Sequence, residues 1–160
     1  MPRRAKSLPV STLLASLLAL CLAVGWAWRE AAHAQTAKPT TTSRTINLDQ
    51  VSMTEYTDEG KPVGQVGLYI DGPTEDLADL VTGRFVIDPR KSPHPPHVHP
   101  EEEILIVASG HGEIFCEGKT TQVGPGSVMF SAANVPHSIT NGGDEPLTFY
   151  FLKWLPKPSK

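Results

Sequence analysis

The sequence predicts an all-β domain, built as a small sandwich or barrel. Eight short apolar runs follow one another between residues 46 and 155, and Gly, Pro, Asn or Asp separates most of them. Several runs are rich in β-branched or aromatic residues, as at 66–70, 84–87 and 147–151. Many short apolar segments with close turn signals are typical of all-β folds. A chain of 160 residues is long enough for one such domain and its core.

Each apolar run is expected to form one strand. A single helical turn within a loop is expected at 74–80, where Leu77 and Leu80 lie three residues apart in a short, poorly capped segment. Gly110 predicts the turn before a hairpin. The predicted strands, in chain order, are 46–53, 63–70, 81–88, 103–108, 112–117, 119–123, 127–131 and 147–155, with a shorter strand after His137.

Residues 1–34 predict a signal peptide rather than part of the fold. Three basic residues within 3–6 precede an apolar stretch at 8–28, and the small-x-small sequence at 32–34 predicts cleavage before Gln35. The alternative is a retained membrane anchor, because the apolar stretch is close to spanning length. After cleavage the protein is expected to be exported, periplasmic or secreted, with no stable membrane anchor; Sec and twin-arginine export both stay open.

The rest of the chain divides by composition. Residues 35–45 are rich in Thr and are expected to form a flexible leader, 46–155 the folded domain, and 156–160 a tail. The formal net charge is −3 and there is no Lys/Arg-rich run, which argues against a nucleic-acid partner. Only Cys116 follows the signal peptide, so no internal disulfide can form, and it is expected to pack as a small hydrophobe.

A histidine-rich segment at 92–100 carries the candidate chemistry. His97 and His99 point to the same face if the segment is extended, because side chains alternate along a strand. Glu103 would lie about 13 Å beyond His99 in a straight chain, so it can share a metal ion with the histidines only if the chain folds back. Pro100 stands where such a turn is possible.

His137 is the natural fourth ligand. It lies far along the chain, but neighbouring strands of a small barrel bring inward side chains to one axis. Three imidazoles and one carboxylate form a mixed nitrogen and oxygen set. His97, His99, Glu103 and His137 are therefore candidate ligands for one divalent transition metal per chain (Mn, Fe, Ni, Cu, Zn or Co), and an exposed polar loop without metal is the alternative for the histidine segment.

The spacing of these residues resembles that of the cupin family. His-x-His-x-x-x-Glu, then six residues and Gly, is met by His97, His99, Glu103 and Gly110. The second motif, a turn Gly followed by His-x-x-x-Asn, is met by Gly126, His137 and Asn141. It follows the first motif along the chain, as it does in the family. The chain departs from the family at Lys91, where Gly is usual, and at Ala132 and Asn134, where Pro and Gly are usual. Asn134 can still adopt the left-handed backbone that Gly would supply.

The resemblance implies a small cupin-type β-barrel, a double-stranded β-helix of jelly-roll-like form, with a metal site. The activity that it implies is that of a metal-dependent, dioxygenase-like oxidoreductase acting on a small enolisable or phenolic molecule, with Glu103 as ligand or catalytic base. A non-redox isomerase or lyase is one alternative. A non-catalytic module that binds a small ligand or a metal is the other, so whether the chain is an enzyme stays open.

Other residues carry weaker expectations. His94 is expected to lie in an exposed loop, with the rim of the site as the alternative, and His111 is expected to be solvated. Glu101 and Glu102 are expected to form a solvated loop tip, with Glu101 as an acid that acts on a substrate as the alternative. The closing run at 147–154 is apolar on both alternating faces. A strand that buries one face should alternate with polar residues, so its outer face is expected to be covered by the N-terminal strands or by a second subunit. A homodimer is the expected assembly.

Overall fold

Two antiparallel sheets face each other across one apolar core in the computed structural model, which describes residues 38–158. The all-β prediction is confirmed. The predicted signal peptide, at 1–34, lies outside the described residues. A 3-10 turn at Leu48–Gln50 precedes nine strands: β1 (Thr54–Asp58), β2 (Lys61–Gly72), β3 (Leu77–Ile87), β4 (Glu102–Ser109), β5 (Gly112–Cys116), β6 (Lys119–Val123), β7 (Val128–Ser131), β8 (His137–Thr140) and β9 (Leu147–Pro156).

The larger sheet has the strand order β1-β2-β3-β9-β4-β7, and the smaller sheet has the order β6-β5-β8. Within the described residues no hydrogen-bonded ladder joins the two sheets. The domain is therefore an open sandwich of two sheets and not a closed barrel. The two sheets stay separate at β8, the edge strand of the smaller sheet. The outer edge of β8 pairs with the histidine segment through an isolated bridge between His97 and His137, and not with a strand of the larger sheet.

The core fills the space between the sheets and follows from the period of two along each strand. Leu105 and Val107 point inward from β4, opposite Phe151 and Phe149 of β9. Ile87 and Leu147 pair across β3 and β9 and are fully buried. The complete buried cluster is Phe85, Ile87, Leu105, Val107, Ile114, Met129, Ile139, Leu147 and Phe149, and Cys116 packs at its edge as predicted.

Two predicted elements are wrong. The run at 46–53 is not a strand, because the Gln50 N–H donates to the Asn47 carbonyl at 3.0 Å and the Val51 N–H donates to the Leu48 carbonyl at 3.1 Å, which closes a 3-10 turn before β1 begins at Thr54. The Asn47 N–H also donates to Gln50 Oε1 at 2.7 Å. The helical turn predicted at 74–80 is instead the start of β3. There the Leu77 N–H donates to Thr74 Oγ1 at 3.0 Å, and Leu77 pairs with Pro156 at the far end of β9.

The outer face of the larger sheet is apolar around β4, β7 and β9. Val128 and Phe130 of β7 are 64% and 55% exposed, and Ile106 of β4 lies between them and β9. The N-terminal strands do not cover this face, because β1 and β2 extend the same sheet edge to edge.

No helix within residues 38–158 is long and apolar enough to cross a membrane.

Candidate metal centre

Three histidines meet at the open end of the sandwich. His97 and His99 lie in the segment between β3 and β4, and His137 is the first residue of β8. Two backbone hydrogen bonds of 3.1 Å, from each N–H to the other carbonyl, tie His97 to His137. The Asn134 N–H donates to the His99 carbonyl at 2.8 Å and fixes the other end of the segment. One potential ligand atom from each histidine lies within 4.8 Å of the others.

Glu103 reaches the same point from the inner face of β4. Its Oε2 atom lies 2.8 Å from His137 Nε2 and 3.3 Å from His99 Nε2. The chain therefore turns back between His99 and Glu103, as the sequence analysis required. All four side chains predicted to surround a metal thus lie together, with His137 and Glu103 buried and the other two histidines half-buried.

The ring orientations of the histidines are set by backbone carbonyls. Nδ1 of His97 lies 3.3 Å from the His137 carbonyl oxygen, Nδ1 of His99 lies 3.1 Å from that of Glu101, and Nδ1 of His137 lies 2.8 Å from that of Val135. A carbonyl oxygen can only accept, so in each ring Nδ1 carries the proton and Nε2 is the atom free to ligate. Metal-binding histidines in proteins are oriented in this way.

The residues fit a divalent transition metal. Two nitrogens bonded to one ion at about 2.1 Å lie at most about 4.2 Å apart. The 4.8 Å limit observed for the three histidines is close to that value, and small side-chain rotations close the difference. Imidazole suits Fe, Ni, Cu and Zn, and a carboxylate beside it broadens the set to Mn. The prediction that His97, His99 and His137 are placed to hold a metal is confirmed, and the identity of the metal stays open.

The pKa values of three site residues are shifted, and not all in the same direction. Burial and then the charges of His94, His137 and His99 lower the pKa of His97 from 6.5 to about 4. Burial alone would raise the pKa of Glu103, but the hydrogen bond and charge of His137, with the smaller effect of His99, lower it. The hydrogen bond to Glu103 raises the pKa of His137 above 6.5 against the opposing effect of burial. His137 and Glu103 thus each favour the charged form of the other, and a metal that binds His137 competes with the proton for its Nε2 atom.

The lowered pKa of His97 predicts that the metal-free protein loses stability in mild acid. The unfolded chain takes up a proton at His97 as the pH falls below 6.5, whereas the folded chain does so only near pH 4. The free energy of unfolding must then fall with pH across this window, by less than about 1.4 kcal/mol per pH unit for one proton. Urea unfolding of chelator-treated protein at pH 6.5 and pH 5 measures it.

His97→Gln is the matched variant for this experiment, because it removes the titrating group and keeps a polar side chain. Its stability should depend less on pH than that of the native chain between pH 6.5 and pH 5. Above pH 4.5 the Glu103 carboxyl does not interfere, because its lowered pKa affects stability only below its ordinary value. Equal pH slopes for the two proteins would contradict the assignment.

A cavity of about 200 Å³ opens beside the histidines. Its walls are aromatic and aliphatic side chains that continue the core, including Tyr56, Phe85 and Phe149. His94 is part of the wall, with its ring centroid 3.9 Å from that of His97, so the prediction of an exposed loop residue is wrong there. The cause is the turn at 92–97, in which Ser92 Oγ donates to the His94 carbonyl at 3.0 Å.

Lys153 also lines the cavity, and the sequence analysis did not single it out. A signal was present, because Leu147, Phe149, Phe151 and Lys153 share one face of β9 and only the last is charged. The predicted solvated tip is also wrong at Glu101, whose side chain is 18% exposed and whose Oε2 lies 3.1 Å from His99 Nδ1. His111 is exposed, as predicted.

The remaining motif residues shape the backbone around the site. Gly110 has φ 81° in the turn before β5, where a Cβ would lie 2.5 Å from the Pro146 carbonyl oxygen. Asn134 has φ 61°, the left-handed conformation predicted for it. Asn141 is fully buried, and its amide donates to the carbonyls of Ile87 and Asp88 at 3.1 and 3.0 Å. Asn141 thus ties the end of β3, which leads into the histidine segment, to the end of β8.

Comparison with known proteins agrees with this architecture. Residues 83–153 match the model of the family described as the cupin domain. A RmlC-like cupin from Shewanella frigidimarina NCIMB 400 is 11% identical, with a TM-score of 0.60, and the match covers 75% of this chain and 97% of that one. A predicted oxalate decarboxylase from Thermotoga maritima is 22% identical, with a TM-score of 0.57 and coverage of 70% and 99%.

The polyketide cyclase RemF from Streptomyces resistomycificus is 24% identical to this chain, with a TM-score of 0.56 and coverage of 74% and 83%. These similarities establish the fold, and their sequence identities are too low to transfer an activity. No functionally curated protein matches the chain. The family match spans the strands that carry Glu103 and His137 and the segment that carries His97 and His99. Residues 83–153 of this chain are therefore a cupin domain.

Proposed function

We propose that His97, His99, Glu103 and His137 hold one divalent transition metal, and that the adjoining cavity binds a small enolisable or phenolic molecule for a dioxygenase-like oxidation. The observation that carries the proposal is the convergence of one ring nitrogen from each of three histidines and of one carboxylate at the wall of a partly aromatic cavity. Four protein ligands leave room for further ligands on an ion of octahedral preference, so substrate can reach the metal directly.

The chemistry divides between the metal and the chain. When bound, a metal of this class supplies positive charge that stabilises an enolate or phenolate, and a redox-active one also exchanges electrons with dioxygen. Glu103 is ionised in neutral solution because His137 and His99 outweigh the effect of its burial. Its carboxylate is thus available to bind the metal, or to accept the hydroxyl proton of the substrate. Phe85, Phe149 and Leu105 keep bulk water from the reacting atoms.

Substrate consumption with and without oxygen tests the proposal. Chain loaded in turn with Fe(II), Mn(II), Cu(II) or Zn(II) is incubated with catechol and with an enolisable 1,3-diketone. Oxygen-dependent consumption with a redox-active metal, absent in His97→Ala, is expected. Equal rates without oxygen would favour a metal-dependent isomerase or lyase. Tight binding of either molecule without turnover would favour the non-catalytic binding module.

We also propose that the protein is exported and that its signal peptide is removed. The basic residues at 3–6, the apolar stretch and the small residues at 32–34 support this proposal. The intact mass of the exported protein should correspond to a chain that starts at Gln35. A chain that keeps its first residues and stays in the membrane fraction would favour the anchor.

A homodimer is the third part of the proposal. The exposed apolar side chains of Val128, Phe130 and Ile106 on the outer face of the larger sheet support it, because contiguous exposed apolar surface is typical of subunit interfaces. Sedimentation of the native chain is expected to give a dimer that Phe130→Asp converts to a monomer. A native monomer across a wide concentration range would contradict this part.

A further inference from the structure

Lys153 brings a cationic group into the ligand cavity. It stands directly opposite Glu103 in the β4–β9 ladder, so both side chains point to the same, inner face of the sheet. Phe151 and Phe149 precede it on that face, and all three line the cavity. Along the inner face of β9, the side chains thus run from Leu147 in the core to the charged Lys153 at the cavity beside the metal centre.

The ammonium group has no anionic partner of its own. Among residues 38–158, no carboxylate oxygen lies within 4.0 Å of Lys153 Nζ. Glu103, the nearest candidate by register, directs Oε2 to His137 and His99 at 2.8 and 3.3 Å. Lys153 is nonetheless half-buried, and its charge lowers the pKa of His137, which shows that it is within electrostatic reach of the histidine cluster. A half-buried charge without a partner is available to an anion.

The cavity next to Lys153 is lined in part by aromatic rings that pack against one another. The rings of Phe85 and Phe149 are parallel within 3°, with centroids 5.6 Å apart, and Tyr56 meets Phe85 edge-on at 5.1 Å. Aromatic side chains bind planar rings through stacked and edge-to-face contacts. A volume of about 200 Å³ is below the roughly 300–1,000 Å³ of sites for drug-sized ligands, so the occupant is small.

We propose that Lys153 binds the anionic group of the ligand, and that the ligand class is a small planar carboxylate, aromatic or conjugated, whose other end reaches the metal. This inference rests on the proposed function, because it names the substrate class of the same site. The Lys153 ammonium, which has no carboxylate oxygen within 4.0 Å among the described residues, would pair with the carboxylate of such a ligand. An anion is therefore favoured over a neutral molecule of the same shape.

The test compares two probes that differ by one charged group, 3,4-dihydroxybenzoate and catechol, by calorimetric titration of the Zn(II)-loaded full chain without turnover. The native protein is expected to bind 3,4-dihydroxybenzoate about tenfold more tightly than catechol, the effect of one charge-assisted hydrogen bond. Lys153→Met is expected to bring the ratio of the two dissociation constants to about one. Lys153→Arg keeps the charge and should keep the preference. Lys119→Met is the matched control, because Lys119 is exposed on β6, and its ratio should equal that of the native chain.

Several results would overturn the inference. Equal binding of the two probes by the native chain would do so, and so would a preference that persists in Lys153→Met. In both cases zinc analysis of the same samples shows whether the metal site is intact. A result against the Lys153 anion site can therefore be told apart from a result against the metal site. If the native chain holds no zinc, the proposed function fails. A carboxylate preference in that metal-free protein, lost in Lys153→Met, would then still support the anion site, and no binding of either probe would overturn both.

Discussion

Replacing His137 with alanine is expected to abolish metal binding. His137 Nε2 faces the point shared with His99 and Glu103, and its Nδ1 is held by the Val135 carbonyl at 2.8 Å. Loss of a residue that only supports a ligand typically costs 10–100-fold in metal affinity, so loss of the ligand itself should cost at least about 100-fold. Elemental analysis after dialysis against a fixed metal concentration measures the occupancy.

His111→Ala is the matched control for this prediction, because His111 is exposed and lies outside the cluster. Its occupancy should equal that of the native chain. His97→Ala provides an independent test at the half-buried side of the site, and it too should lose the metal. Full occupancy in His137→Ala, in a protein with native circular dichroism, would contradict the ligand assignment.

Replacing Asn141 with alanine should cause the largest loss of stability among changes at the motif residues. The Asn141 amide donates to the carbonyls of Ile87, Asp88 and Glu145, and its Oδ1 accepts from the Gly143 N–H at 2.9 Å. Alanine would leave these groups without their partner in a place that water does not reach. The side-chain NH2 group has two hydrogens to share among its three carbonyl contacts, so the change removes the equivalent of three hydrogen bonds, and at about 1 kcal/mol each the free energy of unfolding should fall by about 3 kcal/mol.

Urea unfolding of the metal-free chain measures this loss and separates it from any effect of bound metal. Asn134→Gly is the control, because glycine adopts the left-handed backbone of residue 134 without strain, and its stability should stay within about 0.5 kcal/mol of the native value. A change below about 1 kcal/mol in Asn141→Ala would mean that the hydrogen bonds of this side chain do not hold the histidine segment in place.

The parts of the fold that could be predicted are those whose signal is local. The run at 103–108 alternates inward and outward, and the period of two places His97 and His99 on one side of their segment. The start of β3 could not be predicted in this way. Leu77 is extended because it pairs with Pro156, which no short window of sequence contains. The turn after Asn47 was missed because a 3-10 turn of three residues, closed by the backbone N–H groups of Gln50 and Val51, is too short to show a hydrophobic period.

The candidate site divides in the same way. The metal-binding cluster could be predicted, because ligand chemistry restricts which residues can take part and the cupin spacing orders them. The roles of His94 and Lys153 could not, because they depend on tertiary contacts. His94 faces the cavity because its loop folds onto His97, and Lys153 does so because the β4–β9 register sets it opposite Glu103.

Anomalous X-ray diffraction from crystals of the chain grown with Mn(II), Fe(II) or Zn(II) tests the central claim most directly. The account predicts one anomalous peak per chain within about 2.3 Å of the Nε2 atoms of His97, His99 and His137 and of a Glu103 carboxylate oxygen. A peak bonded to Nδ1 atoms, a peak elsewhere, or no peak at this position in metal-saturated crystals would contradict it.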